Sequence, residues 1–172
     1  MRKLIYLVVL ALMAAPVAAL AEGSPADQSA AKACTALRAS MGVHAFRAYY
    51  GLNGGKANAF GKCVAKQKAA RAANLTSAGK ACKAEMANAA FATAHAGQTF
   101  AQMYGANEND KNAYGRCVSS RANAAGQAQV AATIKAAKAC KAERSGTAAA
   151  FASMYGSGAN ALGKCIAAKS KA

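Results

Sequence analysis

The chain has 172 residues, 52 of them Ala, with 22 Lys+Arg against 6 Asp+Glu, 2 His, 6 Cys, 2 Pro and no Trp. Length excludes a large enzyme, two Pro exclude a collagen-like or Pro-rich chain, and 6% aromatic residues argue against an aromatic-rich binding module. Acids this scarce leave little from which to build a carboxylate-pair active site.

The chain opens on Arg2 and Lys3, followed by an apolar stretch, LIYLVVLAL, over 4–12. Pro16 breaks the run, and Ala19-Leu20-Ala21 places small residues at −3 and −1 of a cut before Glu22. This is the layout of a secretory signal peptide over 1–21. The competing reading is an uncleaved anchor, because the apolar run over 4–21 covers 18 residues, just enough to span a bilayer. Its Ala-rich, Pro-interrupted second half favours cleavage. No Cys follows it directly, so a lipoprotein anchor is not indicated, and no second apolar run predicts a transmembrane segment in the mature chain. Residues 22–29 (EGSPADQS) read as a short flexible leader.

Of the 151 residues after the cut, 15 are Leu, Ile, Val or Phe, well under the roughly 20% below which disorder becomes a live option. A chain this poor in large apolar side chains needs something besides burial to hold it.

Three copies of one phrase fill the rest. They run over 30–66, 78–120 and 136–169 and predict units over 30–75, 76–126 and 127–172. The shared frame is Lys-Ala-Cys, then Phe-x-x-x-Tyr-Gly, then Asn-Ala-(Phe/Tyr/Leu)-Gly-(Lys/Arg)-Cys-(Val/Ile). Identities recur at Phe46/Phe100/Phe151, Tyr50/Tyr104/Tyr155, Gly51/Gly105/Gly156, Asn58/Asn112/Asn160 and Gly61/Gly115/Gly163.

Within a unit, Ala, Lys, Arg, Glu and Met predict helix. The first helix is expected to start near Ser29, Ser77 or Gln127 and to loosen near Gly42, Gly97 or Gly146. A short helix then carries Phe and Tyr at i and i+4 on one face, a stripe read as core and widened by Tyr49, Met103 and Met154. Gly51, Gly105 and Gly156 suit C-caps at positive φ, and Asn58, Asn112 and Asn160 suit N-caps. The closing helix sets Phe60, Cys63 and Val64 on one face, as it does Tyr114, Cys117 and Val118, then Leu162, Cys165 and Ile166. Leu162, where the other units have an aromatic, suggests a looser last unit.

Six Cys in an exported chain of this size suggest three disulfides, with 15 pairings possible in principle. The repeat frame makes Cys34–Cys63, Cys82–Cys117 and Cys140–Cys165 the most economical set, each tying a unit's first helix to its last. Loops of this length imply roughly 3–4 kcal/mol per bridge on the chain-entropy model. Gly61, Gly115 and Gly163, two residues before the second Cys, are expected to admit a neighbouring backbone for the bridge. No Cys-x-x-Cys occurs, so zinc-ribbon and thioredoxin chemistry are not indicated. His44 and His95 occupy no repeated position and are read as incidental, which leaves a Cys nucleophile without a partner. Residues 107–110 (NEND) lack the length and the closing Glu of a calcium loop, and no metal or other cofactor is expected.

Cations fall in register with the repeats. Lys32, Lys80 and Lys138 stand two places before the first Cys, and Lys62, Arg116 and Lys164 one place before the second. With the sulfurs inward, these side chains project outward or sideways, about 200° and 100° round the helix. Without Arg2 and Lys3 the net charge is +14, which favours polyanions: acidic envelope polymers, anionic lipid or non-specific nucleic acid. The plainer reading is that Lys keeps an Ala-rich helical protein soluble. Sequence-specific nucleic-acid reading is not indicated. Residues 62–74 are basic and amphipathic but carry little apolar bulk for membrane insertion.

The repeated frame resembles one in uncharacterised secreted bacterial proteins with such Cys-containing repeats, over most of residues 30–169. The resemblance implies export and tandem units and brings no activity or active site. The sequence thus predicts an exported all-α protein of three tandem disulfide-stapled, hairpin-like helical repeats, non-enzymatic, engaging anionic surfaces or polymers through its cations. The alternative is an interaction scaffold read through the loops between Tyr-Gly and Asn-Ala, with charge serving solubility.

Overall fold

The computed structural model describes residues 25–51, 58–105, 111–158 and 160–171, with backbone alone over 25–27. The described residues form eight helices and no strand: α1 Pro25–Met41, α2 Val43–Tyr50, α3 Ala59–Met86, α4 Phe91–Ala94, α5 Phe100–Tyr104, α6 Ala113–Gly146, α7 Ala148–Tyr155 and α8 Ala161–Lys169. The protein is all-α, and three disulfides staple its helices. The expected signal peptide, 1–21, lies outside the described residues. The leader expected over 22–29 is helical from Pro25 onward, since the first turn of a helix has no use for the N–H that Pro lacks.

The unit boundaries drawn from the repeats fall inside helices. No helix starts at Ser77 or Gln127; α3 runs 28 residues through the first boundary and α6 34 residues through the second. Thr76 does not cap a new helix: its hydroxyl donates back to the Ala72 carbonyl at 3.1 Å, a bond that an unbroken helix allows. Gly126 costs about 1 kcal/mol relative to Ala, too little to end a helix whose flanks are Ala-rich. The closing helix of one unit is therefore the opening helix of the next.

The disulfides are Cys34–Cys63, Cys82–Cys117 and Cys140–Cys165, with Cα–Cα distances of 5.9, 6.1 and 6.0 Å. They join α1 to α3, α3 to α6 and α6 to α8 in series. Each long helix carries two half-cystines. On α3 they lie about 28 Å apart and about 100° round the axis; on α6, about 34 Å and about 140°. Those angles let each long helix hold different partners on different sides. Further down their length α3 and α6 are tied by Asn74 and Gln129, whose amides exchange hydrogen bonds of 3.3 and 3.2 Å.

The core is divided unequally. Units one and three share one interior, built on Leu37, Met41, Phe46, Tyr50, Phe151, Leu162 and Ile166 around two disulfides. Unit two keeps a small one of its own: Phe91, Phe100 and Ala113 around Cys82–Cys117. Phe46, Phe100 and Phe151 are all buried, as the stripe predicts, and so is Tyr49, whereas Met103 and Met154 are exposed. The last unit is not loose. Leu162 is 2% exposed, whereas its counterparts Phe60 and Tyr114 are 37% and 41% exposed. The smaller, branched side chain enters the shared core, and the aromatics stay at the surface.

Gly163 explains how α8 comes so close. A Cβ there would lie 2.2 Å from the Ala48 carbonyl oxygen of α2. The expected backbone approach is real, but the neighbour is another unit and not the disulfide partner. At Gly115 a Cβ meets nothing within 4 Å, and at Gly61 it meets the Asn58 side chain. The three repeated glycines thus have three different environments.

The repeated caps are also unequal. Asn58, Asn112 and Asn160 occupy N-cap positions, but no side chain caps; their ψ values near 0° are helix-like, not the extended backbone that aims a cap. A capping box forms instead at Thr99, whose Oγ accepts from the Gln102 N–H at 3.2 Å while Gln102 Oε1 accepts from the Thr99 N–H at 2.9 Å. Gly156 has the expected positive φ, 85°, but Gly51 and Gly105 leave their helices at −90° and −67°.

Candidate functional site

All six cations singled out by the repeats are exposed: Lys32 on α1, Lys62 and Lys80 on α3, Arg116 and Lys138 on α6, and Lys164 on α8. Their differing offsets from Cys align them. Lys62 and Lys80 are 18 residues apart, which is five full turns, so they share one face of α3 about 27 Å apart. Arg116 and Lys138 lie about 40° apart on α6, separated by about 33 Å. Each disulfide is therefore flanked by cations from both helices it joins: Lys32 and Lys62, Lys80 and Arg116, Lys138 and Lys164.

The carboxylates whose side chains are described, Glu85 and Glu143, are already engaged. Glu85 pairs with Arg121, and Glu143 with Lys169 at 2.5 Å. These pairs are a repeat feature that the shared frame did not capture. Glu stands three residues after the first Cys and its cation four residues after the second, which sets each pair beside a disulfide. Unit one has Leu37 and Gln67 there. The signal was present in KACKAE, common to 80–85 and 138–143; Leu37 hides it, because unit one feeds that position into the shared core.

The repeated Tyr completes this arrangement. The Tyr104 hydroxyl donates to Glu85 Oε2 at 3.2 Å, and its hydrogen bond to Arg121, helped by the charge of Glu85, raises the Arg121 pKa. Tyr50 hydrogen-bonds Gln67 in the first unit, and Tyr155 lies within electrostatic reach of Lys169 in the third. The Tyr50 and Tyr104 rings pack against core while their hydroxyls face the polar residue beyond the second Cys. Burial pushes Tyr50 up to about 12. Tyr49 is also buried, but the Lys66 ammonium donating to its oxygen at 2.7 Å, with Ser170 nearby, outweighs burial and lowers its pKa. Lys66 also lies 4.3 Å from the Tyr49 ring centroid, a cation–π contact.

His44 is exposed on α2. His95 stacks on Phe91 at 4.0 Å and its Nδ1 hydrogen-bonds the Phe91 carbonyl at 2.8 Å, so it packs locally. Among the described residues no group of three or more His, Cys, Asp or Glu side chains is placed to hold a metal ion. The loop over 107–110 lies outside the described residues. No family profile matches the chain, and neither a curated protein nor a solved structure shows similarity to it. Three buried disulfides are the chemistry of an oxidising, extracytoplasmic environment, and no helix among the described residues is long and apolar enough to cross a membrane.

Proposed function

We propose that this is a non-enzymatic, exported protein that binds anionic surfaces or polymers through the cation pairs flanking its three disulfides. One observation carries the reading: the repeat offsets bring Lys62 and Lys80 onto one face of a rigid helix about 27 Å apart. Solubility alone requires no such phase. Over the whole chain 22 Lys+Arg stand against 6 Asp+Glu, and the two described carboxylates pair with Arg121 and Lys169, neither of them one of the six cations in register with the repeats. A rigid array of this span suits an extended polyanion better than a small ion, because several charge pairs form together and each releases counterions.

The test is retention on immobilised heparin, and on vesicles with and without anionic lipid, as salt is raised. Binding is expected to fall steeply and linearly on logarithmic axes. Neutralising Lys62 and Lys80 to Gln is expected to lower the slope by about 2, near 0.9 for each anionic group that is no longer neutralised. A partner retained at high salt would instead favour a scaffold read through the loops after Tyr-Gly, most of which lie outside the described residues.

A further inference from the structure

Between α1, α3 and α6 lies a groove of about 510 Å³, within the range of small-molecule sites. It exists because the facing side chains are small. Ala122, Gly126, Val130 and Ile134 of α6 line it at steps of four residues, a stripe about 18 Å long that winds about 120° round the helix. Ala33 of α1 and Ala70 of α3 face that stripe. Among the described residues no aromatic ring lines it, which gives a planar sugar or base nothing to stack on there. Gln67, Asn123 and Gln127 also line it, but the exposed lining is mostly aliphatic and suits an alkyl chain.

The polar groups specify the other end of the ligand. Asn74 and Gln129 satisfy one another across the groove. Arg71 stands in the wall with Nη1 donating to Ser29 Oγ at 3.1 Å, and Lys32 borders it. Among the described residues no carboxylate lines it. A guanidinium beside a neutral hydroxyl has donors to offer a carboxylate in bidentate geometry. Arg71 also lies about 180° round α3 from Lys62, so the proposed head site faces away from the Lys62 and Lys80 pair.

We infer that the groove binds a single-chain amphiphile with an anionic head, a long-chain carboxylate, with the chain along the α6 stripe and the head on Arg71. The experiment titrates a fluorescent long-chain fatty acid into oxidised, exported protein and displaces it with competitors. Oleate is expected to displace it, while acetate, inorganic phosphate and dodecyltrimethylammonium do not. Arg71→Gln is expected to weaken binding by about ten-fold, the loss of one charged hydrogen-bonded interaction. Gly126→Leu fills the slot and is expected to abolish binding while leaving heparin retention unchanged. Ala70→Leu fills it from α3 and replaces Gly126→Leu if that variant does not fold. Equal displacement by the cationic amphiphile, or full binding by a folded slot-filling variant, overturns the proposal.

Discussion

Gly163 and Gly115 occupy the same place in the repeat and should respond oppositely to one methyl group. Gly163→Ala drives a Cβ into the Ala48 carbonyl at 2.2 Å, and backbone on both sides leaves no side chain to yield. The expected cost is about 1–3 kcal/mol, the range for overpacking. Gly115→Ala enters open space on α6 and should stabilise by about 0.5–1 kcal/mol through helix propensity. Denaturant unfolding of the two variants checks both signs. Tyr50 supplies a pH test. Its folded value is raised to about 12 from 10.0, so its contribution to stability is complete below pH 10 and declines between 10 and about 12. Tyr50→Phe should flatten the stability profile in that window. Tyr49 is shifted the other way and should ionise before Tyr50 when tyrosinate absorbance is followed. No repeat pattern shows either effect. Repetition marks which glycine or tyrosine recurs, whereas the environment of each copy depends on which unit lies against it.

The serial arrangement of staples makes the elements unequal in what they depend on. Among its described residues unit two builds its core from Phe91, Phe100 and a few small residues around Cys82–Cys117, and α4 and α5 are four and five residues long, too short to persist alone. Replacing both Cys82 and Cys117 with Ala should cost about 3.8 kcal/mol on the chain-entropy model for a separation of 35 residues. Hydrogen exchange should then show lost protection first over 87–105, with α1, α2 and α8 still protected by the core they share. Equal loss in all three units would contradict that order. Much at this scale was legible in the chain: the helical class from Ala and Lys, the six-Cys pairing from the frame, and the buried Phe from its i, i+4 partner. The fusion of neighbouring units was not. Ser77 reads as a helix start in sequence, yet α3 runs through it and the preceding Thr76 bonds backward within α3. Only the packing of α3 against its neighbours along its full length tells a continuous rod from two short helices. The ion pairs Glu85–Arg121 and Glu143–Lys169 were legible in units two and three but masked by Leu37 in unit one. Being partly exposed, they contribute modestly, and Glu85→Gln should cost less than about 1 kcal/mol.

For the whole molecule, folding closes the first unit against the third, which the tandem order of the repeats does not announce. The cation candidates were legible because their register with Cys is written in the sequence; their alignment on α3 needed a continuous helix across the unit boundary. Covalent connectivity follows from the same fusion. A cut anywhere over 35–62, 83–116 or 141–164 falls between two bonded half-cystines, so both fragments stay attached. Those stretches contain the turns and loops where proteases nick most readily. The segments whose scission would part the molecule, 64–81 and 118–139, are uninterrupted helix, which cleavage reaches only after local unfolding. A clipped molecule should therefore migrate as an intact one until a reductant is added, an endurance suited to surroundings rich in peptidases.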